Sequence, residues 1–411
     1  MRQGASPFVH DRDSALTGRT ILQIVPELNA GGAERTAIDI AAALVRAGAR
    51  ALIASEGGRL VSELQANGGL WIPFPAKSKN PLVMLLNAQR LRRLIRAEKA
   101  DIVHARSRAP AWVAFAATRG GAVPFVTTYH GAYSGGSKLK TEYNSVMARG
   151  DAVIANSDYT AGLIHARYPQ ADNRVRVIHR GTDFAAYSPA AVDPARVQRL
   201  RREWNAAPED RIVLLAARLT GWKGQRVLIE AARILKAQGL SGVKFILAGD
   251  AQGRGGYVKE LDALCAKAGV ADIVRRVGHC ADMPAAFLAA SVVTVPSTEP
   301  EAFGRSAVEA QALGTPVVVS DLGAGPETVL APPQTEASRR TGWRVPPGDA
   351  DALAAAVAEA LAMGASARDA MAARARAHVF ENFSLEKMCA QTLEVYQSVL
   401  ESDVAKLRTR S

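Results

Sequence analysis

The chain has 411 residues, 48% of them hydrophobic and 22% charged, an ordinary globular balance that excludes wholesale disorder and leaves room for two domains, each with its own core. Its three cysteines, Cys265, Cys280 and Cys389, are too few and too scattered for a disulfide framework or a zinc ribbon, which points to a reducing cytoplasm. The net charge of +12 is uneven: residues 1–183 hold 24 Lys+Arg against 14 Asp+Glu and residues 184–411 hold 27 against 25, so the anion-attracting surface lies in the first half.

Residues 1–18 are polar and aperiodic, with no apolar block of signal-peptide length, and are expected to be a disordered leader. No stretch reaches the roughly 18 consecutive apolar residues of a spanning helix, so no membrane span is expected. Strand-length apolar runs then alternate with helix-period segments: strands over 20–28, 50–56, 100–107, 124–131 and 151–157, with helices such as 35–48 and 110–119 between them. A second series of strands follows at 211–219, 243–250, 273–279, 292–297 and 315–321. This alternation predicts an α/β fold of two tandem doubly wound, Rossmann-like domains, the first over 19–183 and the second over 208–383. Residues 184–207, with Pro189 and Pro194 among small residues, read as a linker, and 384–411 as a last helix that could pack back on the first domain.

The motifs sit where such strands turn into helices. Gly31-Gly32 follow the first strand, where paired glycines let backbone N–H groups approach an anion at a helix N-terminus or simply make a tight turn. The spacing is not GxGxxG, which weighs against a dinucleotide cofactor. His104 and His130 fall at strand ends, each open to a structural reading; His130, with Gly131 behind it, is the stronger candidate, and His104, Arg106 and Arg108 would line the same crevice and could hold an acidic acceptor. In the second series Arg218 and Lys223 stand between a strand and a helix, where two cations neutralise a diphosphate without a metal. Further on, Glu301 lies in a loop near Phe303-Gly304 and Glu309 on the helix that follows; a carboxylate accepts two vicinal hydroxyls at once, which suits a sugar and a ribose.

Taken together, GGAER at 31–35, RLTGWKG at 218–224, EPEAFGRSAVEA at 299–310, GTPVVVSDLGAGPETV at 314–329 and GWRVPPGDADALAAAV at 342–357 resemble the family-4 retaining glycosyltransferases of the GT-B fold, in matching order over residues 20–400. The resemblance implies an active site in the cleft between two domains and a nucleotide-diphosphate sugar as donor. Arg218 and Lys223 would hold the diphosphate, Glu309 the ribose and Glu301 the transferred sugar. Phe303 and Gly304 would offer backbone N–H groups, Gly31 and Gly32 would close on the diphosphate, and His130 would reach the sugar or acceptor. It further implies transfer with retention to a glycan or lipid-linked acceptor, in lipopolysaccharide or other cell-surface polysaccharide synthesis, with the leaving phosphate deprotonating the acceptor on the same face. One position departs from the family's pattern: Arg180-Gly181 stands where many members have Asn-Gly, and a turn with a surface charge is the simplest reading.

No metal or other cofactor is expected. Of two DxD pairs, Asp11/Asp13 falls in the leader and Asp349/Asp351 reads as a helix N-cap. Arg92, Arg93, Arg96 and Lys99 share a predicted helix with Leu and Ile, which serves either as plain cover for the sheet or as a peripheral contact with an anionic membrane on the cytoplasmic side. Rival classes are a nucleotide-sugar epimerase or hydrolase of the same fold and a nucleic-acid-binding protein; the last has only the pI of 9.8 behind it and no reader motif, so no nucleic acid is expected.

Overall fold

A computed structural model describes residues 15–29, 31–120, 123–133 and 137–408. The chain forms two compact units: unit 1 takes the first 181 residues and returns from Glu386 onward, and unit 2 is Thr182–Leu385. In unit 1 the strands are β1 (Thr20–Ile24), β2 (Arg50–Ser55), β3 (Leu70–Pro73), β4 (Ile102–Ala105), β5 (Phe125–Tyr129), β6 (Ala152–Ala155) and β7 (Val175–Val177). The helices between them are α1 (Gly32–Arg46), α2 (Val61–Ala66), α3 (Pro81–Ala97), α4 (Arg108–Thr118), α5 (Lys138–Ser145) and α6 (Asp158–Arg167).

Unit 2 begins with α7 (Pro194–Glu203) and carries β8 (Arg211–Ala216), β9 (Val243–Ala248), β10 (Val274–Gly278), β11 (Val292–Val295), β12 (Val317–Ser320) and β13 (Trp343–Val345). Its remaining helices are α8 (Gln225–Ala237), α9 (Gly255–Lys267), α10 (Met283–Ala289), α11 (Arg305–Ala312), α12 (Gly325–Thr328), α13 (Ala350–Ala362) and α14 (Ala365–Asn382). The last helix, α15 (Leu385–Arg408), belongs to unit 1.

Each unit is one wholly parallel sheet, ordered β3-β2-β1-β4-β5-β6-β7 and β10-β9-β8-β11-β12-β13. Helices cover both faces, so the inner strands are mostly apolar, and β1, β4, β5, β6 and β12 are buried at every position. In both sheets the strand order reverses once, between β1 and β4 and between β8 and β11. Ligand crevices open at the carboxyl ends of strands at such a reversal.

Three readings of the sequence change. Residues 1–14 lie outside the described residues, but 15–18 are no leader: Leu16 is fully buried and the Gly18 amide donates to Gly48 O at 2.9 Å. The stretch 184–207 is not a plain linker, because Pro194 occupies the first turn of α7 behind an Asp193 cap, and Val192, Leu200 and Trp204 are buried in the core of unit 2. Arg92 is exposed but not free, since its guanidinium donates to Ala116 O and Ala117 O at the end of α4, at 2.7 and 3.2 Å. Among the described residues no single helix is long and apolar enough to cross a membrane.

A polar strip runs through the core of unit 1. His104 on β4 is fully buried, with Nδ1 2.6 Å from the Tyr396 hydroxyl of α15 and Nε2 2.7 Å from Thr128 Oγ1 of β5. Burial first, then the charge of Arg106, holds the imidazole well below its usual pKa, so it is neutral; burial likewise pushes the Tyr396 hydroxyl up to about 12. Tyr396→Phe, which leaves a buried imidazole nitrogen unpartnered, is expected to lower the unfolding free energy by about 1–3 kcal/mol. Urea denaturation compared with wild type measures it, and an unchanged midpoint would show that the bond contributes nothing net.

Candidate active site

In unit 2 the site residues stand at the strand reversal. After β8 the chain makes a short turn over Gly221–Lys223 and enters α8 through Gly224, whose φ is +78°. A Cβ on Gly224 would lie 1.9 Å from the carbonyl oxygen of Pro296, which follows β11, so the two turns pack backbone to backbone. Trp222 O accepts from the Thr298 amide at 2.8 Å, and Leu219 N donates to Asp250 O at 3.0 Å. Gln225, fully buried, donates from Nε2 to Arg218 O at 3.0 Å and accepts from the Tyr257 hydroxyl at 3.1 Å. The loop carrying Arg218 and Lys223 is therefore fixed from three sides.

Across this junction Lys223 Nζ and Glu301 Oε1 pair at 2.7 Å, each side chain only 15% exposed. Glu301 also accepts from the Ser297 hydroxyl, and the Lys223 ammonium lies 4.3 Å from the centre of the Trp222 ring. Lys223 has three N–H donors and this pair uses one. Arg218, in contrast, is exposed, and its guanidinium has no hydrogen-bond or ion-pair partner among the described residues. The Glu301 backbone is gripped by the turn before α12: Ala324 N donates to Glu301 O at 3.0 Å, and a Cβ on Gly323 would sit 2.5 Å from that oxygen.

Glu309 lies on α11, buried, its Oε1 accepting from Arg305 Nη2 at 2.8 Å and Nε at 3.1 Å. Gly304 caps α11 at φ +87°, with nothing nearer a would-be Cβ than Thr328 Oγ1 at 4.0 Å, and Phe303 is buried edge-on against Phe383. A small pocket is shared by Ser297, Glu301, Phe303, Gly304 and Ser320, and the Ser320 hydroxyl is buried without a partner. Ser297, Ser320 and the 322–324 turn carried no separate signal in the sequence. Asp349 accepts from the Ala352 amide at 2.8 Å and caps α13, whereas Asp11 and Asp13 lie outside the described residues.

Unit 1 has its own reversal at the ends of β1 and β4. Gly31 caps α1, and Glu34 folds back over it so closely that a Cβ on Gly31 would lie 1.9 Å from Glu34 Oε2. A carboxylate in that place is favoured by the helix dipole. Arg35 in the same GGAER run pairs with Glu63 of α2, which lowers the Glu63 pKa.

A cavity of about 200 Å³ is lined by Glu34, Arg106, Ser107, His130, Gly131 and Tyr133. Of the three proposed acceptor contacts only Arg106 reaches it. His104 is sealed in the core by Tyr396 and Thr128 and lines no crevice. Arg108 bonds Asn144 Oδ1 at 2.9 Å and lies 4.6 Å over the Tyr133 ring. Arg106 is 3% exposed; its Nε donates to Gln23 Oε1 at 2.7 Å, and its Nη2 is buried without a hydrogen-bond partner.

Comparison with known proteins agrees with this geometry. Residues 30–186 match the family model described as Glycosyltransferase Family 4 and residues 197–378 the model described as Glycosyl transferases group 1. A glycosyltransferase structure from Rickettsia africae ESF-5 is 32% identical with a TM-score of 0.83, covering 93% of this chain and 99% of that one. Anabaena Alr3699/HepE, solved in complex with UDP and glucose, is 27% identical with a TM-score of 0.78, covering 92% and 100%. Among curated relatives, the D-inositol 3-phosphate glycosyltransferases of Jonesia denitrificans and Salinispora tropica are 32% and 34% identical over 61% and 64% of this chain. The matches span 58% and 54% of those two proteins, little more than half their length. Two Rossmann-like units with these motifs define a glycosyltransferase of the GT-B class. The chain belongs to the family-4, group 1 glycosyltransferases.

Gly224→Ala should be among the most damaging single changes in unit 2, because it meets both a left-handed φ and a backbone carbonyl. A loss of at least about 2 kcal/mol of stability is expected, since a Cβ cannot be accommodated without parting the two turns. Thermal unfolding reads it out, and a wild-type melting curve would mean that the turns separate at little cost.

Proposed function

We propose that the chain transfers a sugar, with retention, from a nucleotide-diphosphate sugar to a glycan or lipid-linked acceptor of a cell-surface polysaccharide, without a metal. The observation behind this reading is the Lys223–Glu301 pair beside an unpartnered Arg218 at the β8/β11 reversal. Negative charge grows on the leaving diphosphate as the C1–O bond breaks, and fixed cations stabilise it best where the site has already oriented them. Lys223 keeps its carboxylate partner and turns its other N–H groups to the phosphate, while Arg218 supplies an uncompensated charge. Glu301 in turn accepts sugar hydroxyls, and Glu309 takes the ribose from its place against Arg305. The acceptor oxygen then bonds C1 on the face the phosphate leaves, and its proton passes to a phosphate oxygen. The likeness to a protein solved with UDP and glucose supports a nucleotide-sugar donor.

Lys223→Ala is expected to lower turnover by roughly 100-fold or more while the fold persists. Wild-type transfer should continue in excess chelator, and sugar release should depend on acceptor. Near-normal turnover in a folded Lys223→Ala protein refutes the clamp, and loss in chelator restored by magnesium or manganese refutes metal independence. Release of sugar to water at the same rate without acceptor would mark a hydrolase instead.

The same reading places the enzyme on an anionic membrane surface. One outward stripe of α3 carries Leu82, Leu85 and Leu86, exposed by 74%, 61% and 53%, followed by exposed Arg93 and Arg96, with Lys99 just beyond the helix end. Leucines so exposed suit the acyl boundary, and each nearby basic residue adds about 1 kcal/mol of attraction to anionic lipid. Arg93→Glu with Arg96→Glu, and separately Leu82→Ser with Leu86→Ser, should each release the protein from phosphatidylglycerol vesicles in a sedimentation assay. Failure of the wild type to bind at low salt would leave the stripe as bare helix surface.

A further inference from the structure

We infer that Arg180 is a positioning residue that locks His130 as its Nε2–H tautomer, so that the cavity of unit 1 offers its ligand two hydrogen-bond donors and His130 binds an oxygen rather than taking a proton from it. The inference rests on the reading of that cavity as part of the substrate site. A guanidinium carries only N–H donors and cannot accept. Arg180 Nη2 lies 3.2 Å from His130 Nδ1, so Nδ1 must present its lone pair and the single proton of the neutral ring must sit on Nε2.

Arg180 is itself held in place. Asn156, buried after β6, meets all its neighbours with its amide nitrogen toward Tyr129 O at 3.1 Å and Thr160 Oγ1 at 3.0 Å, and its amide oxygen toward Arg180 Nε at 3.2 Å. Thr160 is in turn fixed by its capping box with Ser157 at the start of α6. The tautomer of His130 is thus set by a chain of contacts that ends in a helix cap.

The groups facing His130 keep it neutral. Arg180 approaches one ring nitrogen, Arg106 lines the cavity beside it, neutral His104 lies further in, and Tyr133 and the Glu34 carboxylate complete the wall. Burial first, then Arg180 and Arg106, hold the imidazole well below its ordinary range. A neutral ring whose Nδ1 lone pair is engaged and whose Nε2 carries the proton has no site left for an acceptor's proton. It is no general base. Nε2 of His130 and Nη2 of Arg106 are both buried without a partner and both residues line the cavity, the arrangement expected of donors that await a ligand oxygen, whether a sugar hydroxyl or an oxyanion.

Two measurements test this. Long-range 1H–15N correlation of the histidine side chains in the full-length protein, with His130 assigned by its loss in His130→Gln, should show one protonated Nε2 and a bare Nδ1, unchanged over about pH 5.5–8 where an ordinary histidine titrates. In Arg180→Met the signal should become a mixture of the two neutral tautomers, since burial and Arg106 still disfavour the charged ring, and Arg180→Lys should restore the wild-type pattern. A wild-type ring with the proton on Nδ1, or one that titrates there, overturns the inference even if the Met variant does not fold; an Arg180→Met spectrum identical to wild type also overturns it.

In transfer assays His130→Gln, which keeps an N–H donor, should stay within about tenfold of wild type and above His130→Leu. A shared loss of about 100-fold or more in both would instead mark a base. Full activity in both, with the tautomer as stated, would remove the cavity from the substrate site and leave the Arg180 contact standing.

Discussion

A parallel sheet cannot be closed by hairpins: every strand must end in a turn that feeds a crossover helix, and the helices then cover both faces. That requirement leaves one kind of place where polar side chains can gather without being buried in apolar core, the turns beyond the carboxyl ends of the strands. It also explains why the charged groups of unit 2 meet across two turns far apart in sequence. Lys223 and Glu301 are separated by 78 residues, yet they pair because β8 and β11 are neighbours and because Gly224 lets one turn rest on the backbone of the other. A half-buried ion pair of this kind adds little to stability on its own. It does hold a carboxylate and an ammonium at a fixed separation.

Unit 1 handles charge differently. Arg106 is buried and meets no carboxylate at hydrogen-bond distance among the described residues; its partners are the neutral amide of Gln23 and the Tyr396 hydroxyl, and its Nη2 has none. Burial pulls its pKa down from the ordinary arginine value, with Tyr396, Cys389 and Asp39 acting against that pull. A guanidinium stays charged under such conditions. The result is a positive charge in the wall of the cavity, beside the neutral imidazole of His130 and with the neutral His104 sealed in the core.

The inner strands were legible because they are buried on both faces and read as largely apolar runs of strand length. β3, β7 and β13 were not: LWIP, VRV and WRV are sheet edges of three or four residues, too short for an apolar run to stand out, and the last two are broken by an arginine. The prolines at 189 and 194 read as loop punctuation, yet Pro194 is the helix-starting kind, and only the tertiary burial of Leu200 and Trp204 reveals which. Of the polar residues, Lys223, Glu301 and Glu309 stand in the turns and helix where their motifs placed them. His104 was misread because a histidine near a strand end looks the same in sequence whether it faces a crevice or a tyrosine 292 residues away. Arg180 was visible as a departure from pattern, but its contact with His130 depends on how β5 and β7 flank β6 in the sheet, which no local spacing encodes.

That tyrosine has a consequence for how the protein is made. The core strip of unit 1 is complete only when Tyr396 reaches His104, so the first unit to leave the ribosome is the last to finish folding. Until α15 emerges, the β4 imidazole and the neighbouring Arg106 have no helix over them, while unit 2, whose residues are contiguous in the chain, can already close. Nascent chains halted before residue 385 should therefore carry a folded second unit and an open first one. A premature stop within α15 would then spare the unit that holds Lys223 and Glu301 while leaving open the unit that holds His130.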